Sequence, residues 1–349
     1  MQPKNDTEMT KRLKVAIGSS LLVLAIGTAL GCYWLFAPMF SLSGETSYLY
    51  IDGNDTEDSV MAKIDTIGAS RQTAGLSLLR FFFGTKDGVR TGRYEIRSDM
   101  NALTLFRILR NGMQTPVRLT IPSVRTPEKM AAFLGRKLMT DSLSFIQALQ
   151  DSVVCASYGF APHTMMALFV PNTYEVYWDI PIDRFLTRMK KEYETFWNDE
   201  RLALAEKAGL SPVEVVTLAS IVDEETANGG EKPRIAGMYL NRLRCGMPLQ
   251  ADPTVKFAWK RFELKRIYHN LLTIDNPYNT YRYEGLPPGP IRVPSVEGVD
   301  AVLHHETHNY LYMCAKEDFS GTHNFAATYA EHKQNARRYT EALNRMKVK

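Results

Sequence analysis

Three consecutive acids, Asp223, Glu224 and Glu225, close an apolar helical stretch, and helical spacing gives each a different neighbourhood. Glu225 follows Val222, Ile221 and Leu218 by three, four and seven residues, so it shares their face. Asp223 projects over Val216 and Ala219, while Glu224 lies above Val213, Thr217 and Ser220, a more polar side. A carboxyl held against apolar walls has its charged form disfavoured, and its pKa rises. Such a group suits general-acid chemistry near neutral pH, which singles out Glu225. The bland alternative is a solvated helix end. Acids in a last turn oppose the helix macrodipole, however, so three of them there ask for a reason.

The elements that must position these acids run from Ser211 to Asp252. Ser211 with Glu214 three residues on reads as a capping box, and Pro212 suits the first helical position. Val215, Val216, Leu218, Ala219, Ile221 and Val222 make that helix too apolar for a solvated surface, so it is expected to be buried. Asn228-Gly229-Gly230 ends it. A second helix begins at Pro233, carries Ile235, Met238, Tyr239, Leu240 and Leu243, and stops at Gly246. Asp252-Pro253 reads as the cap and first turn of a third helix, Thr254 to Lys260. Asn241 and Gln250 sit in packed or turning surroundings, where either can be a satisfied core amide. Residues 275–294 hold five prolines, two glycines and three tyrosines and cannot continue a helix. Such a loop is either functional or a rigid connector.

The 349 residues leave room for two domains beyond an anchor. Hydrophobic content of 45% and charged content of 23% fit a globular chain. Lys4, Lys11, Arg12 and Lys14 against Asp6 and Glu8 supply +2 of the net charge of +4. The remainder is nearly balanced, and with no zinc-finger, P-loop or dinucleotide pattern it points away from nucleic acid. Cys32, Cys155, Cys245 and Cys314 are widely spaced and read as buried thiols. His304, His305 and His308 suggest a metal, but no HExxH pattern accompanies them and no third ligand is evident. Neither a metal nor a cofactor is expected.

Val15 to Ala37 carries no charge over 23 residues, enough to span a bilayer. Lys11, Arg12 and Lys14 precede it, so residues 1–14 are expected in the cytoplasm and the rest outside. A cleaved signal peptide or a lipoprotein site at Ala29-Leu-Gly-Cys32 fits less well, because apolar residues continue past Cys32. Short strands at Ser47–Ile51, Gly92–Ile96 and Val117–Ile121 alternate with helices at Glu57–Ile64 and Asp99–Arg110, the pattern of a small α+β module. Further helices are expected at Glu128–Met139, Leu143–Asp151 and, continuously, Pro181–Ala208. Tyr177 and Trp178 are assigned to a core, with sugar stacking as the alternative. Tyr310–Ala315 reads as a strand, His323-Asn324-Phe325 as a turn, and Ala327–Met346 as the closing helix.

With these pieces in order, the chain resembles the endolytic murein transglycosylase (YceG-like) family over essentially its whole length. The resemblance rests on LASIVDEET at 218–226, NRLRCGMPLQADPT at 241–254, NPYNTY at 276–281, GLPPGPI at 285–291 and HNF at 323–325. GRYEI at 92–96 and FVPNTYEV at 169–176 extend it towards the N-terminus. It implies an α+β architecture: an N-terminal transmembrane helix at 15–37, a small LysM-like module at 47–117 and a larger mixed α+β catalytic domain at 118–349. The family's catalytic acid is the second glutamate of an E-x-E pattern, which falls here on Glu225, with Asp223 in place of the usual first glutamate. Ala251 in place of the common Thr, and HHETH at 304–308, also depart from the family.

The resemblance implies cleavage of the β-1,4 bond between N-acetylmuramic acid and N-acetylglucosamine without water. Glu225 would protonate the leaving oxygen and then take the proton of the muramoyl C6 hydroxyl, which attacks to leave a 1,6-anhydro end. Asn241, Gln250, Asp252 and Asn279 are candidate polar liners, and Tyr278 and Tyr281 candidate sugar-stacking faces. The expected partners are peptidoglycan glycan strands, one membrane crossing and peptidoglycan polymerases, with the catalytic domain on the periplasmic side of the inner membrane. Two other readings stay open. One is a hydrolase using Glu225 with Asp223 or Asp252 as base; the other is a non-enzymatic glycan-binding scaffold.

Overall fold

The computed structural model describes residues 4–42, 44–68, 73–84, 90–264 and 266–346. Among these the chain forms fourteen α-helices and three two-stranded sheets, a mixed α+β architecture as expected. It divides into two compact units, Met1–Val117 with Glu175–Asp179, and Arg118–Tyr174 with Ile180–Lys349.

The first unit opens with α1 (Lys4–Phe36), of which Met9–Phe36 is long and apolar enough to cross a membrane. β1 (Thr46–Ile51), α2 (Glu57–Gly68), α3 (Thr73–Phe83) and β2 (Gly92–Arg97) follow, then α4 (Ala102–Asn111). β1 and β2 pair antiparallel from Thr46↔Arg97 to Ile51↔Gly92. Period-two alternation turns Leu49, Ile51, Tyr94 and Ile96 inward onto Val60, Ile64, Leu76, Leu79, Leu105 and Leu109 of the helices. Met39 and Phe40, just past α1, belong to the same core, and the Met39 amide donates to the Met100 carbonyl at 2.8 Å. A Cβ at Gly75 of α3 would meet the Trp34 carbonyl oxygen at 2.1 Å, so the end of α1 lies hard against α3. Tyr177 is exposed rather than in a core, while Trp178 stands edge-on to Tyr50 at 5.1 Å. The expectation of a core role thus fails for Tyr177.

The second unit begins within β3 (Val117–Thr120) and continues through α5 (Pro127–Lys137), α6 (Ser142–Gln150), α7 (Ser152–Ser157) and β4 (Thr173–Val176). The stretch expected as one helix from Pro181 to Ala208 is two, α8 (Ile182–Phe196) and α9 (Asp199–Ala208). The break is local chemistry: the Asn198 side chain accepts from the Arg201 amide and starts α9 afresh. α10 (Pro212–Glu225), α11 (Lys232–Arg244) and α12 (Asp252–Ala258) hold the chemistry-bearing residues. α13 (Val296–Leu303) packs on α10, and β5 (Tyr312–Ala315) pairs with β6 (His323–Ala326) ahead of α14 (Tyr329–Arg345). His323, Asn324 and Phe325 are therefore strand, not turn. Asp252 is the first residue of α12 rather than its cap; Ala251 holds the cap position, and the Asp252 carboxylate is engaged elsewhere. Of the three cysteines outside α1 only Cys155 is buried, while Cys245 is exposed and Cys314 intermediate, which corrects the expectation of buried thiols for the last two.

Candidate active site

α10 is built as its sequence demands. Ser211 and Glu214 form the reciprocal capping box, and every residue from Val215 to Val222 is buried. The three acids at its end then part company. Glu224 is bidentate to Arg125, at 2.7 and 2.9 Å, and also meets Arg292 at 3.1 Å. Asp223 is ion-paired with Lys232 at 2.9 Å and accepts from the Ser295 amide at 2.6 Å. With the Asp223 side chain 5% exposed and so engaged, it is not available as a hydrolytic base, which removes that version of the hydrolase reading.

Glu225 alone turns into a cavity of about 370 Å3, a size ordinary for small-ligand sites. Its Oε1 accepts from the Tyr239 hydroxyl of α11 at 2.7 Å. Burial raises its pKa, and the neighbouring charge of Asp252 adds to the rise. The Tyr239 bond, His323 and Lys256 pull the other way without reversing it. A carboxyl whose protonated form is favoured by burial and that faces open space is placed to give that proton away.

The loop 275–294 is fastened to the fold at several points. Its Thr280 carbonyl and hydroxyl accept from the Gln250 and Ala251 amides, each at 3.0 Å. The Ile291 amide donates to Ser220 of α10 at 3.0 Å, and the Val293 amide to the Val124 carbonyl at 2.9 Å. So pinned, the loop delivers Tyr281, whose hydroxyl donates to Asp252 Oδ1 at 2.6 Å on the cavity wall. Burial, together with that bond, raises the Tyr281 pKa, so the phenol stays a donor. Gln250 lines the same cavity from a backbone with φ of +50°, a region costly for a residue with a Cβ.

Of the seven expected site residues, Glu225, Gln250, Asp252 and Tyr281 are brought together around the cavity. Asn241, Tyr278 and Asn279 are not among its walls. The Asn241 amide donates to the His308 and Tyr310 carbonyls, at 2.7 and 3.1 Å. Fully buried Asn279 donates to the Leu272 and Ile274 carbonyls and accepts from the Tyr281 amide at 3.1 Å. Tyr278 packs on Phe257 with ring centroids 4.6 Å apart. All three brace the site rather than line it, because each finds its partners within the fold. His308, tempting as a metal ligand, instead meets the Arg234 carbonyl with Nε2 and the Tyr310 amide with Nδ1. Among the described residues no group of three metal-type donors converges.

The sequence reasoning missed the far wall. Tyr312 of β5, Tyr329 and His332 of α14 form an aromatic cluster there, with Tyr312 stacked on His332 at 5.3 Å and 23°. It also missed Tyr239, read only as an apolar helix position, although a buried tyrosine hydroxyl needs a partner. Buried Arg242 spends its guanidinium on the Leu249, Pro248 and Leu311 carbonyls, which fixes the turn leading to Gln250. His323, known only from the HNF motif, faces the cavity as well.

Tyr239→Phe tests the electrostatics. The lost bond favours the ionised form, so its removal moves the Glu225 pKa further up. The alkaline limb of a pH–rate profile that needs protonated Glu225 moves to higher pH. On the plateau below that limb the rate falls roughly tenfold, because the carboxylate that forms as the proton leaves has lost a donor, in keeping with about 1.5–3 kcal/mol for a hydrogen bond to a charged group. An unchanged limb would mean that Glu225 is not the titrating acid.

The profile of the YceG-like family matches residues 49–338. The endolytic murein transglycosylase of Bacillus subtilis (strain 168) is 37% identical over 138 residues, 40% of this chain and 38% of that protein. The endolytic murein transglycosylase of Streptococcus pneumoniae (serotype 2, strain D39) is 25% identical over 335 residues, 81% of this chain and 60% of that protein. The chain thus spans 60% or less of the length of these relatives. A crystal structure of a yceG-like protein from Listeria monocytogenes superposes with a TM-score of 0.56 at 24% identity, covering 83% of this chain and 98% of that one. At that identity the likeness concerns the fold.

Proposed function

The chain belongs to the YceG-like family, and from that premise we propose that it is a membrane-anchored endolytic lytic transglycosylase of peptidoglycan. It cleaves the MurNAc-β-1,4-GlcNAc bond within glycan strands and leaves 1,6-anhydro-MurNAc ends. Glu225 gives its proton to the leaving glycosidic oxygen. The muramoyl C6 hydroxyl attacks the anomeric carbon, and Glu225 ends the cycle by recovering the proton that this hydroxyl loses. One carboxyl suffices because the substrate carries its own nucleophile, whereas ordinary glycosidases need a pair.

The observation that carries this reading is the fate of the three acids. Two are tied up in ion pairs, and the third, with a raised pKa, faces the cavity. Asp252 and Gln250 supply acceptors and donors beside it, and Tyr281 and the Tyr312–Tyr329–His332 cluster supply apolar faces of the kind sugars stack on. The helix α1 serves as a single-pass anchor in the inner membrane, N-terminus in the cytoplasm, with the chain after it in the periplasm. The β1–α2–α3–β2 order of the first unit supports its reading as a LysM-like module that holds or orients glycan. Peptidoglycan polymerases are the expected source of the strands.

The test is product analysis. The detergent-solubilised chain, incubated with uncrosslinked glycan strands, yields products with anhydro-muramoyl ends by mass spectrometry. Reducing ends carrying solvent oxygen would assign a hydrolase, with Asp252 as the remaining candidate base. No cleavage by folded, glycan-bound protein would favour a scaffold. Topology is checked separately: protease added to spheroplasts digests the chain beyond residue 45, and protection would overturn the orientation.

A further inference from the structure

One side chain on the cavity wall, His323, has no part in the mechanism so far, and a buried carboxylate, Glu231, holds it. Glu231 stands at the start of α11 and is 6% exposed. Its two carboxylate oxygens hold a single residue of β6: Oε1 accepts from the His323 backbone amide at 2.7 Å, and Oε2 lies 2.9 Å from His323 Nδ1. A carboxylate only accepts, so Nδ1 carries a proton and Nε2 keeps its lone pair in the neutral ring. Among the described residues Nε2 has no hydrogen-bond partner, and His323 lines the same cavity as Glu225.

The chain contains its own contrast. His308 has both ring nitrogens engaged, Nε2 with the Arg234 carbonyl at 2.9 Å and Nδ1 with the Tyr310 amide at 3.1 Å, and it is not on the cavity wall. That is what a purely structural histidine looks like here. His323 is instead clamped through one nitrogen, which fixes its ring and tautomer, and offers the other to whatever fills the cavity. A buried carboxylate orienting a histidine is the arrangement that makes an imidazole a proton acceptor in other hydrolytic and transfer sites.

We propose that His323 is a second catalytic residue, held by Glu231, that takes the proton of the sugar C6 hydroxyl and relays it to the Glu225 carboxylate. The inference rests on the transglycosylase reading above. As the bond from C1 to the glycosidic oxygen breaks, the electron pair leaves with that oxygen, which receives the Glu225 proton. The C6 oxygen forms the new bond to C1, and its proton passes to Nε2. The resulting imidazolium faces the Glu231 carboxylate. It then returns a proton to Glu225, so both residues regain their starting states and no water is consumed. The other titratable or charged groups on the cavity wall are Asp252, Arg242, His332, Cys314 and the tyrosines 239, 281, 312 and 329. Arg242 is committed to carbonyls, and Asp252 to Tyr281.

The experiment compares His323→Ala, His323→Gln and Glu231→Gln in the solubilised full chain on uncrosslinked glycan strands. His323→Ala is expected to lower kcat roughly 10²–10⁴-fold, the usual worth of general acid–base help, with little change in KM. Added imidazole restores it at least roughly tenfold, since a free base can occupy the vacated site. His323→Gln, which still offers a donor to Glu231, folds like the wild type but loses the low-pH limb of the rate profile. Glu231→Gln, a positioning change, lowers kcat less. Wild-type kcat in His323→Gln, or a loss in His323→Ala that imidazole leaves untouched while the low-pH limb persists, would overturn the relay and leave a structural pin. Reducing ends from the wild type would instead overturn the transglycosylase reading, and the relay with it.

Discussion

Glu225→Gln gives a folded protein whose cleavage of glycan strands falls by at least roughly 10²–10⁴-fold, the usual worth of acid–base help, since the amide has no proton to give. The same substitution makes the protein more stable at neutral and alkaline pH. The folded-state pKa of Glu225 is raised by burial above its value in the unfolded chain. Its contribution therefore favours folding at pH below the unfolded value and is lost as pH rises through the folded value, beyond which a carboxylate is held where it is poorly solvated. The Gln side chain keeps an oxygen for the Tyr239 hydroxyl and never ionises. Thermal melts of the two proteins should coincide at acid pH and separate with the variant higher as pH increases, by roughly 2–4 °C for each kcal/mol released. Activity lost together with stability at neutral pH would mean that Glu225 supports the fold and is not a site acid.

Lys232→Met carries the largest expected loss of stability. The Lys232 and Asp223 side chains are 7% and 5% exposed and 2.9 Å apart. Lys232 also reaches Glu297 at 2.6 Å, and Ser295 caps α13 while donating to Asp223. These groups fasten α10, α11 and α13 at one point. Burial alone would lower the lysine pKa, but the bonds to Asp223 and Glu297 outweigh it and the net direction is upward. Removing one partner leaves a buried carboxylate with only the Ser295 donors, at a cost of about 3–5 kcal/mol. A fall in Tm of roughly 10 °C follows for a domain of this size. Adding Asp223→Asn should recover much of it, because the penalty lies in the unpaired charge. No recovery in the double variant would show that Lys232 acts through its aliphatic packing instead.

What was legible in the sequence was local. The capping box at Ser211, the apolar face and the position of Glu225 on it are properties of one helix, and period-3.6 reasoning reaches them. What was not legible lay between distant segments. Spacing sets Glu225 apart from Asp223 and Glu224, but the partners that occupy those two, Lys232, Arg125 and Arg292, arrive from elsewhere in the chain. Asn279 looks like a ligand-binding amide in its motif, yet its donors close the turn that carries Tyr281. The β6 strand was hidden because its four residues acquire their pairing only from β5, and with the strand went the reason for His323 to face the cavity. Asp252 was read as a cap because Asp before Pro so often is; the hydroxyl of Tyr281, 29 residues away, takes its carboxylate instead.

The junction after α1 has a mechanical consequence. Met39 and Phe40 are core residues of the first unit, the chain between them and Phe36 is two residues long, and Gly75 leaves no gap at Trp34. With α1 in a bilayer, the unit is mounted on a stiff post and not on a leash. Its height above the lipid is then set by packing and not by the statistics of a flexible chain, as it would be for a Gly/Ser tether. A post of fixed height makes the membrane surface a reference plane for every residue packed into that core.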